Sequence, residues 1–528
     1  MKLSVLTGAI KPLRVNPDSG DLAKDPDIGG ICYRSDQVSA GDLFVAVQGM
    51  HTDGHDFVED AVIRGAAAVV VEKPVMADAV VVEVTDARRA MALMADVFYG
   101  SPSSKLTLIG ITGTNGKTTT ACLLAHILKE NGFKTGVIGT IGCHFGDTII
   151  PGTLTTPEAP DLQERLARMV DAGVSHAIIE VSSHGVVQNR IAGCRFEMGI
   201  FTNLSQDHLD FHGDMESYRA AKIRFFTEYL GRGAVSVINC DAEDGRRLAA
   251  IMSEAETITV GTVPTDTTSD SPALWDVRGE IRSYDQSGIS GRIVLPSGAF
   301  DYHCPLVGRF NAENILCAAS GAFVLGVRPG AIRQSLASFG AVAGRLEKVA
   351  GSASRHVFVD YSHTPDALQN VLGALKPIVA GRLICVFGCG GDRDKGKRPQ
   401  MGNIAATLAD LAIVTSDNPR TEPPEKIIAD ILAGVRPTGK VEVPASQLDA
   451  CFDGNMYVVE EDRSKAIQLG IRVSLPGDCV LIAGKGHETY QIIGETTIDF
   501  DDRVHAEKAL AECDALVKSH DQTLCKKS

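Results

Sequence analysis

The stretch TGTNGKTT at residues 112–119 decides the fold of the middle of this chain. An apolar run, LTLIGIT at 106–112, leads into it, and a helix-like stretch at 120–132 follows it. Glycines allow backbone N–H groups to approach phosphate oxygens, and the N-terminus of a helix adds partial positive charge. The stretch therefore predicts a phosphate-binding loop between a strand and a helix, in which Lys117 reaches the outer phosphates and Thr118 binds Mg²⁺.

This loop departs from the strict pattern GxxxxGK[ST], because Ile111 stands where the first glycine should be. A purely structural glycine-rich turn is the alternative interpretation. The GKT triplet between a predicted strand and a predicted helix disfavours that alternative.

Strand and helix patterns alternate along three sections of the chain. Apolar runs of strand length stand at 43–47, 67–72 and 79–84, then at 106–112, 137–141, 177–181 and 199–204, and finally at 357–361, 383–388, 411–417 and 479–484. We predict a helix over 86–99, a linker at 100–104 and an exposed insertion at 262–273. The alternation predicts mostly parallel sheets with helices on both faces and ligand groups at the carboxyl ends of the strands.

Composition limits the classes of partner. At roughly 150 residues per domain, 528 residues predict three or four domains. The net charge of −15 disfavours nucleic acid or an anionic membrane, whereas a basic cluster at 392–398 suits a small anionic substrate. The 13 cysteines include no CxxC pair, which favours reduced thiols. No apolar run reaches the ~20 residues that span a bilayer, so a cytoplasmic location without membrane insertion is expected.

Five further motifs follow the phosphate loop in a specific order. They are EVSSHG at 180–185, TNLSQDHLD at 202–210, AAK at 220–222, GRFNAEN at 308–314 and DYSHTP at 360–365. Together with a phosphate loop that lacks its first glycine, this series resembles the Mur ligase family over nearly the whole chain. The Ser183–His184 pair does not indicate a hydrolase, since no GxSxG surrounds it.

The resemblance implies an α/β fold of three domains. The smaller N-terminal α/β domain, 1–103, would bind a UDP-linked substrate. The central domain, 104–343, would carry the phosphate loop on a mostly parallel sheet and bind ATP. The C-terminal domain, 344–528, would be a Rossmann-like α/β domain that holds an amino acid.

The resemblance also implies which residues bind ATP. They are Gly113, Thr114, Asn115, Gly116, Lys117, Thr118, Thr119, Asn311, Asn314 and Asp360. Lys117, Lys222, His208 and Arg345 would be catalytic. A turn asparagine or a solvated arginine is the alternative for Asn115, Asn311 and Arg345.

Mg²⁺ is the implied metal, with Thr118, Glu180, His208 and Lys222 as ligands. Lys222 would serve as N6-carboxylysine, a carbamate formed with CO₂ that turns a cation into an anionic oxygen donor. That chemistry requires a neutral lysine amine, and a metal-rich site lowers the pKa of a lysine. A loop histidine and a solvated helix lysine are the alternatives for His208 and Lys222.

The implied contacts to the UDP-substrate come from three segments. The residues implied to make these contacts are Tyr33, Ser35, Thr155, Thr156, Ser182, Gln188 and Arg190. The family usually has Asp-Ser-Arg where this chain has Arg34-Ser35-Asp36, and an ion pair with exchanged partners would preserve the local structure. Thr156-Pro157-Glu158 is also typical of a helix start, with Thr156 as N-cap and Pro157 in the first position.

The amino-acid substrate is indicated by Asp-Asn-Pro-Arg at 417–420. The implied pocket comprises Arg393, Asp417, Asn418, Pro419, Arg420, Gly484 and Glu488. This pattern resembles that of ligases adding diaminopimelate, which carries a distal carboxylate that lysine lacks. A guanidinium binds a carboxylate through two parallel hydrogen bonds, so Arg420 is the expected discriminator and Glu488 suits the distal ammonium. A turn with a solvated arginine is the alternative.

The activity implied is ATP-dependent addition of meso-diaminopimelate to the D-Glu γ-carboxylate of UDP-N-acetylmuramoyl-L-Ala-D-Glu through an acyl phosphate, by a monomer. A lysine-adding or folylpolyglutamate-type ligase is the nearer alternative. A phosphate-loop ATPase that drives motion would turn over without an amine. An inactive scaffold would lack Lys117, Lys222 or His208, and all three are present.

Overall fold

The computed structural model describes residues 1–16, 25–49, 52–152, 154–253, 255–263, 275–351, 355–452 and 454–525. Within these ranges three mostly parallel sheets follow one another along the chain and pack against helices, which confirms the predicted α/β class. Most of the insertion predicted at 262–273 lies outside the described residues.

The first sheet has the strand order β1-β5-β4-β3-β2, and only β1 runs antiparallel to its neighbour. Its strands are β1 (Arg14–Asn16), β2 (Ile31–Cys32), β3 (Leu43–Val45), β4 (Ala68–Val71) and β5 (Val80–Glu83), with helices α1 (Leu3–Gly8), α2 (Val58–Ile63) and α3 (Ala87–Phe98). Helix α3 confirms the prediction for 86–99. The Asp86 carboxylate caps it by accepting from Arg89 N, and Ala90, Met91 and Met94 are buried.

The predicted linker at 100–104 lies between the first and second sheets and includes a short 3₁₀ helix, Pro102–Lys105. The second sheet has the order β16-β15-β14-β13-β12-β11-β6-β10-β7-β8-β9. Its seven central strands, from β14 to β7, are parallel, and antiparallel hairpins extend both edges.

The elements of the second sheet and its helices have the following bounds. The strands are β6 (Thr107–Thr112), β7 (Thr135–Gly139), β8 (Gly142–Phe145), β9 (Thr148–Ile150), β10 (His176–Glu180), β11 (Phe196–Phe201), β12 (Leu230–Asn239), β13 (Glu256–Val263), β14 (Val277–Asp285), β15 (Gly288–Leu295) and β16 (Gly298–Cys304). The helices are α4 (Lys117–Glu130), α5 (Ala159–Asp171), α6 (Ser183–Val187), α7 (Leu209–His212), α8 (Met215–Arg224), α9 (Glu243–Ile251), α10 (Asn311–Val324) and α11 (Pro329–Ala337).

The third sheet has the order β17-β18-β23-β19-β20-β22-β21 and is parallel except at β17. Its strands are β17 (Glu347–Lys348), β18 (His356–Asp360), β19 (Leu383–Phe387), β20 (Leu411–Val414), β21 (Val441–Glu442), β22 (Met456–Val459) and β23 (Cys479–Ala483). A separate hairpin, β24 (Tyr490–Ile493) and β25 (Thr496–Asp499), follows. The helices are α12 (Pro365–Leu375), α13 (Lys397–Leu408), α14 (Pro424–Val435), α15 (Arg463–Arg472) and α16 (Asp502–Cys525).

Each sheet has a hydrophobic core on both of its faces. Successive side chains of a strand point to opposite faces and therefore enter different cores. In β19, Cys385 and Phe387 join the core under α13 and α14, whereas Ile384 and Val386 join the core under α15 and α16. A strand buried on both faces has no polar alternation, which explains the continuous apolar run LICVF.

The parallel strands bring their carboxyl ends to common edges. Strand β6 leads into the phosphate loop, and β10 ends at Glu180 beside it. In the third sheet, β18 ends at Asp360 and β20 runs into the 417–420 segment. A cleft of about 1300 Å³ is lined by residues from both edges.

The described cysteines are free thiols. None of the helices in the described ranges combines the length and apolar character that crossing a bilayer requires.

Candidate active site

The phosphate loop adopts the strand–loop–helix geometry predicted from 112–119. Gly113 and Gly116 have positive φ, 152° and 83°, and a Cβ on Gly116 would stand 2.1 Å from the Asn314 Oδ1 atom. Glycine is therefore required where the loop meets α10. The Lys117 Nζ atom folds back and donates to the carbonyls of Gly113 (2.9 Å) and Thr114 (2.8 Å).

Lys222 and Glu180 lie at the same loop. The Lys222 Nζ atom donates to the Gly113 carbonyl at 2.8 Å, and its side chain is buried. The Glu180 carboxylate accepts from the Thr118 hydroxyl (2.9 Å) and from the Thr140 amide (2.9 Å). Three of the four predicted metal ligands thus meet the loop directly.

Burial lowers the pKa of both lysines at this site. It lowers the pKa of Lys222 well below the ordinary lysine value, and the charge of Lys117 lowers it further. Burial also lowers the pKa of Lys117. The neutral amine that carbamate formation at Lys222 requires is therefore favoured at this position.

His208 lines the cleft in a left-handed backbone conformation, φ 53°, at the start of α7. Its Nε2 atom is 3.3 Å from the Asp207 carboxylate, and its ring lies edge-on to His184, with ring centroids 4.8 Å apart. Burial lowers the pKa of His208, which favours the neutral imidazole that ligates metals.

The oxygen donors of this site fit Mg²⁺, which proteins usually hold through one or two carboxylates together with substrate phosphates. Within the described residues, no three His, Cys, Asp or Glu side chains converge closely enough to hold a metal. Thr118 and Glu180 supply adjacent oxygens of the type that Mg²⁺ prefers. Carbamate oxygens on Lys222 would add a further anionic donor.

Arg345 contacts the phosphate loop from the third section of the chain, and Asp360 lies in the same section. The Arg345 guanidinium donates to the Thr118 hydroxyl at 3.3 Å and lies over the Tyr361 ring, 4.7 Å from its centroid. Asp360 is buried and accepts from the amides of Leu346 (2.7 Å) and Ser362 (2.9 Å).

The three asparagines predicted to bind nucleotide all have protein partners. Asn314 donates to the Asn311 side chain at 2.8 Å, and Asn311 donates to the Val307 carbonyl at 2.8 Å, both at the start of α10. The Asn115 amide donates to the Asp366 carboxylate at 2.8 Å. Asp366, which the sequence interpretation missed, therefore links the third section to the phosphate loop.

The prediction that Thr156 caps a helix with Pro157 in its first turn is wrong. Helix α5 begins at Ala159, with Glu158 as the capping position and Pro160 in the first turn. The Thr156 hydroxyl instead donates to the Glu180 carbonyl at 2.8 Å, and it accepts from Ser182 N at 2.9 Å. A carbonyl at the end of β10 therefore takes the hydroxyl that a helix cap would use.

The residues predicted to hold the UDP-substrate form two groups. Thr155, Thr156, Ser182, Gln188 and Arg190 lie around α6, where the Arg190 guanidinium donates to the Thr156 carbonyl (2.9 Å) and to the Gln188 side chain. Arg190 also pairs with Glu158 at 3.1 Å, a contact that the sequence interpretation missed.

Tyr33 and Ser35 form the second group, in the first section. The Tyr33 hydroxyl donates to the Asp161 carboxylate on α5 at 2.8 Å, which ties this section to the second sheet. Arg34 and Asp36 are paired at 2.8 Å, as predicted for exchanged charges around Ser35, and both side chains are more than half exposed.

The 417–420 segment forms a pocket with Gly484 and Glu488 on the cleft. Arg420 has φ 52°, and its Nη1 atom donates to the Gly391 carbonyl at 2.8 Å. Gly391 passes so close that a Cβ there would stand 1.8 Å from the Pro419 carbonyl. Arg393 lines the same cleft, so six of the seven predicted residues line it, and the seventh, Pro419, lies between Asn418 and Arg420 in the chain.

A buried lysine that the sequence interpretation missed organises this pocket. The Lys485 Nζ atom lies 3.0 Å from the Asn418 Oδ1 atom, 3.3 Å from the Glu488 carboxylate and 3.6 Å from the Asp417 carboxylate. Asn418 in turn donates to Glu488 at 2.9 Å. Lys485 stands in the sequence GKGHE, three residues before Glu488, and this position is the one signal in the sequence that points to it.

The fold and the site together define a class of enzyme that has a phosphate loop in its second sheet and a charged pocket in its third section. Residues from both sections line one cleft. Three family models match: "Mur ligase family, catalytic domain" over 27–99, "Mur ligase middle domain" over 111–322 and "Mur ligase, glutamate ligase domain" over 344–486. The UDP-N-acetylmuramoyl-L-alanyl-D-glutamate–2,6-diaminopimelate ligase of Geobacter metallireducens is 46% identical over 94% of this chain and 97% of its own length.

Two more proteins of that name are similar to this chain. The one from Gloeobacter violaceus is 46% identical over 92% of this chain and 95% of its own length. A solved structure has a TM-score of 0.64 and 32% identity over 94% of this chain and 97% of that chain. The chain belongs to the Mur ligase family and is a ligase.

Proposed function

We propose that this chain is the ATP-dependent ligase that joins meso-diaminopimelate to the D-Glu γ-carboxylate of UDP-N-acetylmuramoyl-L-Ala-D-Glu, through an acyl phosphate, in cytoplasmic peptidoglycan precursor synthesis. The relatives of 42–46% identity carry the name of that reaction. The proposed domains are 1–103 for the UDP-substrate, 104–343 for ATP and 344–528 for the amino acid.

The substrate assignment rests on one observation, which is that the 417–420 pocket carries charges of both signs. Diaminopimelate ends in a carboxylate and an ammonium on one carbon, so its site needs a cation and an anion close together. Arg420 supplies the cation, and Asp417 and Glu488 supply carboxylates on the same cleft. Lysine would leave the guanidinium without an anionic partner, which costs binding free energy.

The geometry of Arg420 suits two-pronged binding. Its Nη1 atom is held by the Gly391 carbonyl, which fixes the plane of the guanidinium. The Nε and Nη2 edge has no protein acceptor assigned to it within the described residues and is the edge that pairs with a carboxylate. A bonded Nη1 atom also reduces the side-chain entropy lost on binding.

The phosphate-loop site supplies the first half of the reaction. Bound Mg²⁺ would neutralise phosphate charge, with Thr118, Glu180, His208 and the Lys222 carbamate as its proposed ligands. Lys117 and Arg345 stabilise the negative charge that develops as the D-Glu carboxylate attacks the γ-phosphate of ATP. The Lys117 amine lies against the carbonyls of the loop and would turn towards the phosphates when ATP binds.

The second half needs the amine of diaminopimelate to reach the acyl phosphate. The cleft joins the 417–420 pocket to His208 and Thr155, so the amino acid and the muramoyl-dipeptide would meet inside it. Holding both reactants there supplies most of the acceleration, because a bimolecular step becomes effectively unimolecular. The Thr155, Thr156, Ser182, Gln188 and Arg190 group would orient the dipeptide, and Tyr33 with Ser35 the uridine end.

Product analysis tests the assignment. The protein is incubated with ATP, Mg²⁺, UDP-muramoyl-dipeptide and either diaminopimelate or lysine, and the products are resolved by mass spectrometry. We expect the diaminopimelate adduct as the main product when both amines are present in equal amounts. A dominant lysine adduct would contradict the proposal.

Arg420→Ala should lower kcat/KM for diaminopimelate by roughly 30- to 1000-fold, or about 2–4 kcal/mol, because two hydrogen bonds to a charged group are lost. Lysine should lose much less. Arg420→Lys should not restore activity, since an ammonium does not reproduce the planar two-pronged geometry.

The measurement for Arg420 is the ratio of kcat/KM for diaminopimelate over lysine in wild type and variants. A fall in both values with an unchanged ratio would mean that Arg420 only shapes the turn. Specificity would then have to lie at Arg393 or Glu488.

A further inference from the structure

The hairpin β24–β25 makes four hydrogen bonds to the 417–420 segment, although no sequence motif marks the hairpin. Two of them hold the backbone of Arg420: Arg420 N donates to the Ile492 carbonyl at 3.1 Å, and Gly494 N donates to the Arg420 carbonyl at 2.7 Å. Arg420 also forms a parallel bridge with Ile493. The segment therefore pairs with the hairpin as a short third strand would.

This pairing stabilises an unusual backbone conformation. Arg420 has φ 52°, a left-handed value that costs a residue with a side chain roughly 1 kcal/mol or more. Such a conformation persists only where the surroundings fix it, and here both polar backbone groups of Arg420 are satisfied by the hairpin. The hairpin therefore fixes the backbone from which the Arg420 side chain reaches the Gly391 carbonyl.

The other two hydrogen bonds come from neighbouring residues of β24. The Gln491 side-chain amide donates to the Asp417 carbonyl at 2.7 Å, and Ile492 N donates to the Asn418 Oδ1 atom at 3.0 Å. Gln491 is buried, 6% exposed, and its side-chain amide meets the backbone of the 417–420 segment, whereas its neighbours Tyr490 and Ile492 line the cleft.

These contacts leave the Asn418 amide one orientation. Its Oδ1 atom accepts from Lys485 and Ile492, neither of which can accept in return, so its Nδ2 atom must face Glu488. Glu488 thereby keeps a fixed carboxylate beside the pocket. The hairpin thus fixes the backbone of Arg420 and, through Asn418, the position of the Glu488 carboxylate.

Resting on the proposed function, we infer that Gln491 is a positioning residue for the amino-acid substrate, and that the β24–β25 hairpin determines selectivity between diaminopimelate and lysine by fixing the 417–420 segment. Gln491 does not contact the substrate itself. It acts through the Asp417 carbonyl, at the first residue of the segment.

Two variants of similar size test the inference. Gln491→Met removes the donor and keeps a neutral side chain, whereas Gln491→Glu keeps the shape but presents a carboxylate to the Asp417 carbonyl. Ile498→Thr is the matched control, because Ile498 faces Gln491 across the same hairpin and is 41% exposed. Folding of each variant is checked by thermal unfolding.

We expect both Gln491 variants to raise KM for diaminopimelate about 10-fold, the effect of roughly one buried hydrogen bond, and to leave KM for ATP unchanged. The ratio of kcat/KM for diaminopimelate over lysine should fall by a similar factor, because lysine makes no use of the Arg420 fork. Ile498→Thr should keep the wild-type ratio. Gln491→Asn should show the same loss of selectivity as Gln491→Met, since its amide is one methylene short of the Asp417 carbonyl.

Three results would overturn the inference: an unchanged selectivity ratio in folded Gln491→Met, an equal rise in KM for ATP, or a loss confined to Gln491→Glu. If Gln491→Met does not fold, the ratio in Gln491→Asn decides in the same way. A wild-type protein that does not use diaminopimelate would instead refute the proposed function, so the two failures are distinguishable.

Discussion

Replacing Lys117 by alanine is expected to abolish ligation, with turnover reduced roughly 1000-fold or more, while the protein still binds UDP-muramoyl-dipeptide. The Lys117 amine lies against the carbonyls of the phosphate loop, where the outer phosphates of ATP would approach. Phosphoryl transfer depends on cations placed around the transferring group, and alanine offers none. The uridine end would be held elsewhere, by the residues proposed for it in the first section.

Calorimetry and a turnover assay on the same preparation separate these two effects. Lys129→Ala is the matched control, because Lys129 is an exposed lysine near the far end of the same helix, α4. It should behave as wild type in both assays. Equal losses of ligation and of UDP-substrate affinity in a folded Lys117→Ala protein would contradict the division of sites.

Replacing Lys222 by alanine should leave the enzyme nearly inactive, and added acetate should restore part of the activity. Lys222 is buried with its amine at the Gly113 carbonyl, so alanine opens a space beside the phosphate loop in which a small carboxylate can stand for the carbamate. Lys222→Met fills that space with an apolar side chain. It should be equally inactive and should not respond to acetate.

The readout for Lys222 is turnover as a function of acetate concentration, in buffer with and without bicarbonate. Wild type should lose activity when CO₂ is removed, whereas the alanine variant should be indifferent to bicarbonate. Full activity of Lys222→Ala in CO₂-free buffer would rule out the carbamate, and rescue of Lys222→Met by acetate would contradict the proposed placement.

Features that depend on neighbours in sequence could be predicted from the sequence. The phosphate loop, the helix capped by Asp86 and the pairing of Arg34 with Asp36 each involve residues within a few positions of one another. Strand runs such as LICVF are also local, because burial on both faces leaves no polar alternation. The apolar pattern therefore gives the α/β class and the order of the elements.

Features that depend on distant residues could not be predicted in this way. Asp366 meets Asn115 from 251 positions away, and Gln491 meets Asp417 from 74 positions away. Thr156 looked like a helix cap because its local signal is strong, but a carbonyl 24 positions away takes its hydroxyl. Such contacts follow from the packing of the sheets, which a single sequence does not encode in any short motif.

We propose that ATP cleavage here is coupled to an amine that carries a distal carboxylate. The most direct measurement is ADP release with ATP, Mg²⁺ and UDP-muramoyl-dipeptide, comparing diaminopimelate, lysine and no amine. The pairing of Arg420 with that carboxylate predicts rapid release with diaminopimelate, much slower release with lysine and almost none without an amine. Equal release in all three reactions would contradict the claim and identify an uncoupled ATPase.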